Sequence, residues 1–205
     1  MYKYIIFDVD GTLINTEQAV FAAYSRLIYE KLGKKFTDEQ MKMAYGVPTG
    51  EVLVKLGIEN SRGMIDSYRS YLLEFFEKTK AFDGIEEILG TLHEKGIAMG
   101  IVSSRDKIEV TQDPCLKSLM KYFQHVISAD DTPRHKPHPE PLLKVLELMG
   151  ADVSEALYIG DTVYDYMCAR DAGVDFALAL WGARSLEGIE AMYNFKQPGN
   201  IAGVV

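Results

Sequence analysis

Short apolar runs recur along this chain, and stretches with helical spacing fill the gaps between them. The first run is Tyr4-Ile5-Ile6-Phe7. A continuous apolar run of this length, rich in β-formers, predicts a strand covered on both faces, as in a parallel sheet. Comparable runs fall at residues 97–102, 125–128, 156–159 and 174–180. Between them, residues 86–93 set Ile88, Leu89 and Leu92 at helical spacing ahead of Gly96. Residues 141–149 do the same with Leu142, Val145 and Leu146 ahead of Gly150, and residues 162–172 form a third such stretch, stopped by Gly173. Glycine just past the last periodic residue is a helix stop. Strands alternating with helices of this length predict βαβ units, hence an α/β fold with a doubly wound, Rossmann-like parallel sheet.

One interval breaks the alternation. From the first strand to Phe82 lie about 75 residues without a strand pattern, far more than one crossover helix requires. The spacing there predicts helices over residues 17–32, 38–44, 49–56 and 62–79. Pro48 suits a helix start, and Gly33 and Gly57 suit helix ends. The expected organisation is an α/β core made of residues 1–15 and 81–205, with residues 16–80 inserted as a small helical domain. After Trp181 the pattern weakens, and a short helix near residues 185–193 is the expectation.

Charge narrows the partners. The 205 residues carry 22 Lys+Arg against 30 Asp+Glu, a formal net charge of −8. A nucleic-acid binder needs a basic surface to displace counterions, and a membrane-surface anchor needs a polybasic segment. Neither fits. No apolar run approaches the roughly 18 residues of a membrane-spanning helix, and the start runs into a strand without a leader-like segment. Cys115 and Cys168 lack a CxxC spacing or a paired framework, as expected of reduced thiols in a cytosol. The expectation is a cytoplasmic monomer or homodimer, with neither nucleic acid nor membrane as partner.

The chemistry concentrates at predicted strand ends. Asp8 and Asp10 in Phe7-Asp8-Val9-Asp10-Gly11-Thr12 stand two apart, so they share a face wherever the strand geometry persists. Two such carboxylates repel unless a cation or a shared proton intervenes, and Gly11 permits a sharp departure of the backbone. Ligands of open α/β sheets bind beyond the carboxyl ends of the strands. A polar strand end with a turn explains the same residues equally well. A second acidic pair, Asp161 and Asp165, follows the run ending in Ile159-Gly160. One of these acids can be a helix cap; two of them, joined to Asp8 and Asp10, would supply oxygen ligands for a hard cation such as Mg²⁺. Ser103 ends the run at 97–102 and could donate to a phosphate, or cap a helix. Lys136, in Lys136-Pro137-His138-Pro139, could meet the same phosphate, or simply be solvated.

In order along the chain, Asp-x-Asp-Gly-Thr, the strand-end Ser103, Lys-Pro-x-Pro and Gly-Asp-x-x-x-Asp closely resemble the haloacid dehalogenase superfamily of phosphatases. The resemblance spans Tyr4 to about Gly182, and the helical insertion looks like that superfamily's small helical cap. The lysine motif and Trp181-Gly182 look most like phosphoglycolate phosphatases and their pyrophosphatase relatives. This resemblance implies an enzyme that hydrolyses a small phosphorylated metabolite, a phosphomonoester, through an aspartyl-phosphate. It implies Asp8 as nucleophile and Asp10 as the acid and base. It places Mg²⁺ on Asp8, Asp10 (through its backbone carbonyl), Asp161 and Asp165, the last as a ligand or a partner behind the ligands. Gly11, Thr12, Ser103, Ser104 and Lys136 would bind the phosphoryl group, and the cap would close over the site. Tyr45, Gly46 and Thr49, at an interhelical loop of the cap, are the expected substrate-facing positions, although a loop and helix start explain them too.

Some features depart from the pattern. Ile14-Asn15-Thr16 stands where many relatives have an acidic residue and Ser, and Ser103-Ser104-Arg105 replaces the Thr-Asn-Lys frequent in phosphoglycolate phosphatases. A phosphosugar mutase of the β-phosphoglucomutase type and an inorganic pyrophosphatase share the fold and motifs. A non-enzymatic phospho-Asp signalling receiver also combines a strand-end Asp with Mg²⁺, but such receivers are about half this length and lack the helical insertion.

Overall fold

The computed structural model describes residues 1–58 and 61–205. Eight strands are present among them: β1 (Tyr4–Phe7), β2 (Ile14–Asn15), β3 (Lys80–Ala81), β4 (Ala98–Val102), β5 (His125–Ile127), β6 (Ala156–Gly160), β7 (Asp175–Ala179) and β8 (Tyr193–Phe195). Six form one parallel sheet in the order β5-β4-β1-β6-β7-β8. The chain winds outward from β1 through β4 to β5, then returns to the other side of β1 for β6. The direction therefore reverses beside β1, where the crevice of a doubly wound sheet opens.

Side chains alternate across the sheet as the period of two demands. Ile5 and Phe7 join Leu157 and Ile159 on one face, beneath α5 (Ile85–Glu94). Ile6 joins Tyr158 on the other, beneath α8 (Glu140–Met149) and α9 (Val163–Ala172). Both faces are covered, which is why the strands read as unbroken apolar runs.

Four helices separate β2 from β3: α1 (Glu17–Leu32), α2 (Asp38–Ala44), α3 (Thr49–Lys55) and α4 (Arg62–Phe76). They pack around a core of their own, with Tyr24, Leu27, Met41, Leu53, Tyr68, Leu72 and Phe76 buried. Tyr24 of α1 stacks on Tyr68 of α4 at 4.2 Å between ring centroids. Where the spacing showed no strand, β2 and β3 pair antiparallel, Ile14 with Ala81 and Asn15 with Lys80. Two-residue strands carry no readable period, but this ribbon holds the two ends of the helical unit side by side.

The region after Trp181 differs from expectation. Residues 185–192 are irregular around one turn rather than helical; Gly188 at φ 75° takes the left-handed conformation that ends a helical path. Tyr193–Phe195 instead adds β8 to the sheet edge beside β7, and Pro198–Val204 forms a 3₁₀ turn with Ile201 buried. Two further short helices, α6 (Lys107–Gln112) and α7 (Pro114–Leu119), follow β4. Asp106 and Glu109 make a reciprocal capping box, and Asp113 caps α7 ahead of Pro114.

Candidate active site

The carboxyl end of β1 delivers Asp8 into the crevice, and the chain then turns at Gly11, whose φ is 82°. A Cβ on Gly11 would stand 2.1 Å from Asp161 Oδ2 and 2.8 Å from Tyr45 Oη, so only glycine lets the loop lie this close to the second acidic strand end. From the other side Gly182 packs so tightly that a Cβ there would come within 1.7 Å of the Gly11 carbonyl oxygen. Trp181 Nε1 donates to Thr12 O at 2.9 Å. The Trp181-Gly182 pair thus buttresses the loop that carries the acids.

Asp8, Asp161 and Asp165 are buried together, with one carboxylate oxygen from each lying within 4.8 Å of the others. Lys136 Nζ donates to Asp8 Oδ1 and to Asp165 Oδ1, both at 2.7 Å. Lys136 is buried rather than solvated. Burial would lower its pKa, but Asp165 and Asp8 more than offset this and hold it above the usual lysine value. Asp165 is saturated: Oδ1 also accepts from Tyr158 Oη at 2.9 Å, and Oδ2 from Thr162 N and Thr162 Oγ1 at 3.0 and 2.6 Å. Four donors fill a carboxylate's acceptor sites, so Asp165 orients Lys136 and caps α9 from its third position. Asp161 is in the opposite state. Oδ1 accepts from Thr12 Oγ1 at 3.0 Å, while Oδ2 is buried without a partner.

One ammonium among three buried carboxylates leaves the cluster short of positive charge. Burial, with Asp165 and Asp10 nearby, pushes Asp8 up to about 7 against the pull of Lys136. Burial and the neighbouring Asp8 and Asp165 carboxylates push Asp161 well above the ordinary range. An orphaned carboxylate oxygen beside converging acids is the donor set of a hard divalent cation, and these residues fit one.

Asp10 faces elsewhere. Arg105 Nε and Nη2 donate to its Oδ2 and Oδ1 at 2.9 and 2.8 Å, and Thr16 Oγ1 donates to Oδ1 at 2.6 Å. Burial would raise its pKa, but Arg105 and Thr16 prevail and hold it below the usual carboxylate value. Arg105 Nη1 also donates to the buried Asp113 at 2.7 Å, and the guanidinium lies over Phe76, at the end of α4, at 4.6 Å. Ser104 Oγ donates to Gly46 O at 2.8 Å. The helical unit and the sheet are thus joined at the site itself.

Between them lies a cavity lined by Asp10, Tyr24, Tyr45, Gly46, Thr49, Tyr68, Ser104, Arg105 and Glu109, with apolar side chains of α1 and α4. Tyr45, Gly46 and Thr49 share this cavity with Asp10. Thr12 Oγ1 donates to Asp161 and Ser104 Oγ to Gly46 O, beside the place where the sequence puts the phosphoryl group. Ser103 is buried at the end of β4, with its Oγ accepting from Arg105 N at 3.2 Å. Arg105, Thr16, Tyr158 and Glu109 went unselected in the sequence. No motif marks the first three, because their partners lie on other elements or across a turn.

A family model described as haloacid dehalogenase-like hydrolase matches residues 5–179. Pyrophosphatase PpaX of Anoxybacillus flavithermus is 30% identical over 184 residues, 89% of this chain and 86% of its own length. A solved structure of a "putative phosphoglycolate phosphatase" from Lactobacillus plantarum is 29% identical with a TM-score of 0.91, covering 100% of both chains. A HAD-superfamily hydrolase of subfamily IA, variant 1, from Geobacter sulfurreducens is 27% identical with a TM-score of 0.78, again over 100% of both. This chain belongs to the haloacid dehalogenase-like hydrolases and is an enzyme of their phosphatase type. No helix among the described residues is long and apolar enough to cross a membrane.

Proposed function

We propose that this enzyme is a Mg²⁺-dependent phosphatase of small phosphomonoesters that works through a phosphorylated Asp8. The observation that carries the reading is the cluster of Asp8, Asp161 and Asp165 around Lys136, with Asp161 Oδ2 left without a donor. Mg²⁺ would be held by the carboxylates of Asp8 and Asp161 and the backbone carbonyl of Asp10, with Asp165 behind them. When bound it neutralises the acids and the charge of the transferring phosphoryl group.

Asp8 attacks phosphorus, forming the Asp8 O–P bond as the bond to the leaving oxygen breaks. Lys136 and Ser103 hold the phosphoryl oxygens, with Ser104 contributing through its backbone N–H; the Gly11 N–H is committed to Ile14 O at 2.9 Å, and Gly11 serves by letting the loop lie close to the site. A protonated Asp10 delivers its proton to the leaving oxygen. Water, losing a proton to Asp10, then attacks the phosphorus and frees Asp8. The arrangement held by Arg105 and Thr16 matches this second step, with Asp10 ionised as the base. The helical unit, residues 16–80, serves as a cap that excludes water during transfer.

Phosphoglycolate and inorganic pyrophosphate are the substrates that the resemblance and the relatives suggest, and both have small leaving groups. The test is phosphate release over a panel of small phosphate esters, pyrophosphate and sugar phosphates, scoring sugar-phosphate isomers in parallel. The expected result is Mg²⁺-dependent release that falls by about 10⁴-fold or more in Asp8→Asn. Full activity in Asp8→Asn or in excess chelator refutes the mechanism, and isomerisation without phosphate release makes the enzyme a mutase.

A further inference from the structure

Glu109 has a role that helix capping does not exhaust. At the third position of α6 its Oε2 accepts from Asp106 N at 3.2 Å, and its backbone N–H donates to Asp106 Oδ1 at 2.8 Å. A capping box needs only that one acceptor oxygen. The other oxygen, Oε1, is buried without a hydrogen-bond partner, and Glu109 lines the cavity that also holds Asp10. A buried carboxyl oxygen with no donor is costly to a fold and calls for an explanation. Glutamine would cap α6 as well without placing an acid in the cavity wall.

The rest of the lining sets what such an acid can meet. Arg105 is the one cation among the described lining residues, and its charge is shared between the carboxylates of Asp10 and Asp113. Tyr24 and Tyr68 are neutral, since burial raises both phenols above the usual tyrosine value. Whether Glu109 is ionised or protonated, the wall therefore offers no unshared positive charge. It offers hydroxyls and carboxyl oxygens instead. The cavity has about 40 Å³ of room at water centres, the space of roughly three waters at 10–15 Å³ each. A leaving group attached to the oxygen that Asp10 serves and turned toward Glu109 would enter that space.

We infer that Glu109 is a specificity residue whose Oε1 contacts the leaving group, and that this group is a small alcohol carrying a hydroxyl or an ammonium rather than an anion. The inference rests on the phosphatase reading above and departs from the two substrates named there, whose leaving groups are both anions. On size alone, glycolate, phosphate, ethylene glycol and ethanolamine are comparable leaving groups. Charge separates them, because an anion brought into this wall meets the Asp10 carboxylate with no free cation among the described lining residues to offset it.

The experiment compares kcat/KM for 2-hydroxyethyl phosphate, phosphoethanolamine, phosphoglycolate and pyrophosphate, with p-nitrophenyl phosphate as a reporter of the chemistry. The wild-type enzyme is expected to favour the first two over the second two by about tenfold or more. Glu109→Gln, which keeps the cap, is expected to shrink the ratio of phosphoethanolamine to phosphoglycolate by a similar factor, mainly through KM. A purely structural role would change every substrate alike. Equal or better turnover of the anionic pair by the wild-type enzyme overturns the inference, even if the variant fails to fold. So does an unchanged ratio in a folded variant. Release from p-nitrophenyl phosphate but from none of the four overturns the inference and leaves the phosphatase reading standing; no release from any overturns both.

Discussion

Two groups of buried charges lie side by side at the end of β1, and they resolve their repulsion differently. In the first, Asp8 and Asp165 share a single ammonium, Asp161 lies beside them without one, and one Asp161 oxygen has no donor. In the second, Asp10 and Asp113 grip the Arg105 guanidinium, with three N–H groups aimed at three carboxylate oxygens. A lysine is a point charge that can face two acids but satisfies few oxygens, whereas the arginine fork meets carboxylates in a fixed geometry. The first group is therefore poised to take a cation from outside; the second is already complete. That difference teaches where each part of the reaction belongs. In the proposed mechanism, metal and phosphoryl chemistry falls to the unsatisfied cluster, and the satisfied pair, with Glu109 beside it, forms the wall that the leaving group would meet.

The contrast can be broken first at Asp161. Asp161→Asn should raise the Mg²⁺ concentration needed for half-maximal activity by at least the roughly 10–100-fold that follows loss of a residue orienting a metal ligand. The same variant should raise the melting temperature of the metal-free protein, because it removes one charge from a repelling cluster. Unchanged Mg²⁺ dependence, followed by phosphate release, would show that Asp161 is not a ligand.

Arg105→Ala tests the satisfied pair. Arg105 is 4% exposed and Asp113 is fully buried, so the variant leaves carboxylates stranded and should cost about 3–5 kcal/mol in urea unfolding. With the guanidinium gone, the Asp10 pKa should rise. The alkaline limb of the kcat/KM profile, set by Asp10 losing the proton it must deliver to the leaving oxygen, should then move to higher pH, and an unmoved limb would sever Arg105 from Asp10 in the reaction.

The smallest effect concerns Glu109, whose carboxyl is pushed up to about 8 by burial and by the nearby Asp106, against the pull of Arg105. A carboxyl whose folded pKa lies above its unfolded value destabilises the fold once the unfolded state ionises. The penalty begins near the ordinary glutamate value of 4.5 and grows until about pH 8. Glu109→Gln should therefore raise the melting temperature by several degrees more at pH 9 than at pH 5, as thermal unfolding at the two pH values would show. An equal shift at both would mean that the carboxyl is not the source.

Legibility differed sharply between these elements. The strands of the sheet were readable because each is an unbroken apolar run buried on both faces, and α1 to α4 because their spacing repeats over several turns. The ribbon of β2 and β3 and the edge strand β8 were not, since two or three residues define no period and their pairing partners lie far along the chain. The acids and Lys136 were readable from their places at strand ends and in the loop ahead of α8. The distribution of their hydrogen bonds was not.

By itself, the sequence determined the α/β alternation, the long helical interruption and the residue types that come together at the crevice. These are local quantities: period, punctuation and the chemistry of a strand end. Only the tertiary structure decided that Thr12 serves Asp161, that Asp165 is consumed by Lys136, Tyr158 and Thr162, and that Arg105 takes Asp10. Hydrogen-bond capacity is shared out in three dimensions, and which oxygen is left over depends on every donor that reaches it. That residue of the accounting, Asp161 Oδ2 in one group and Glu109 Oε1 in the other, is where the protein has room for something other than itself.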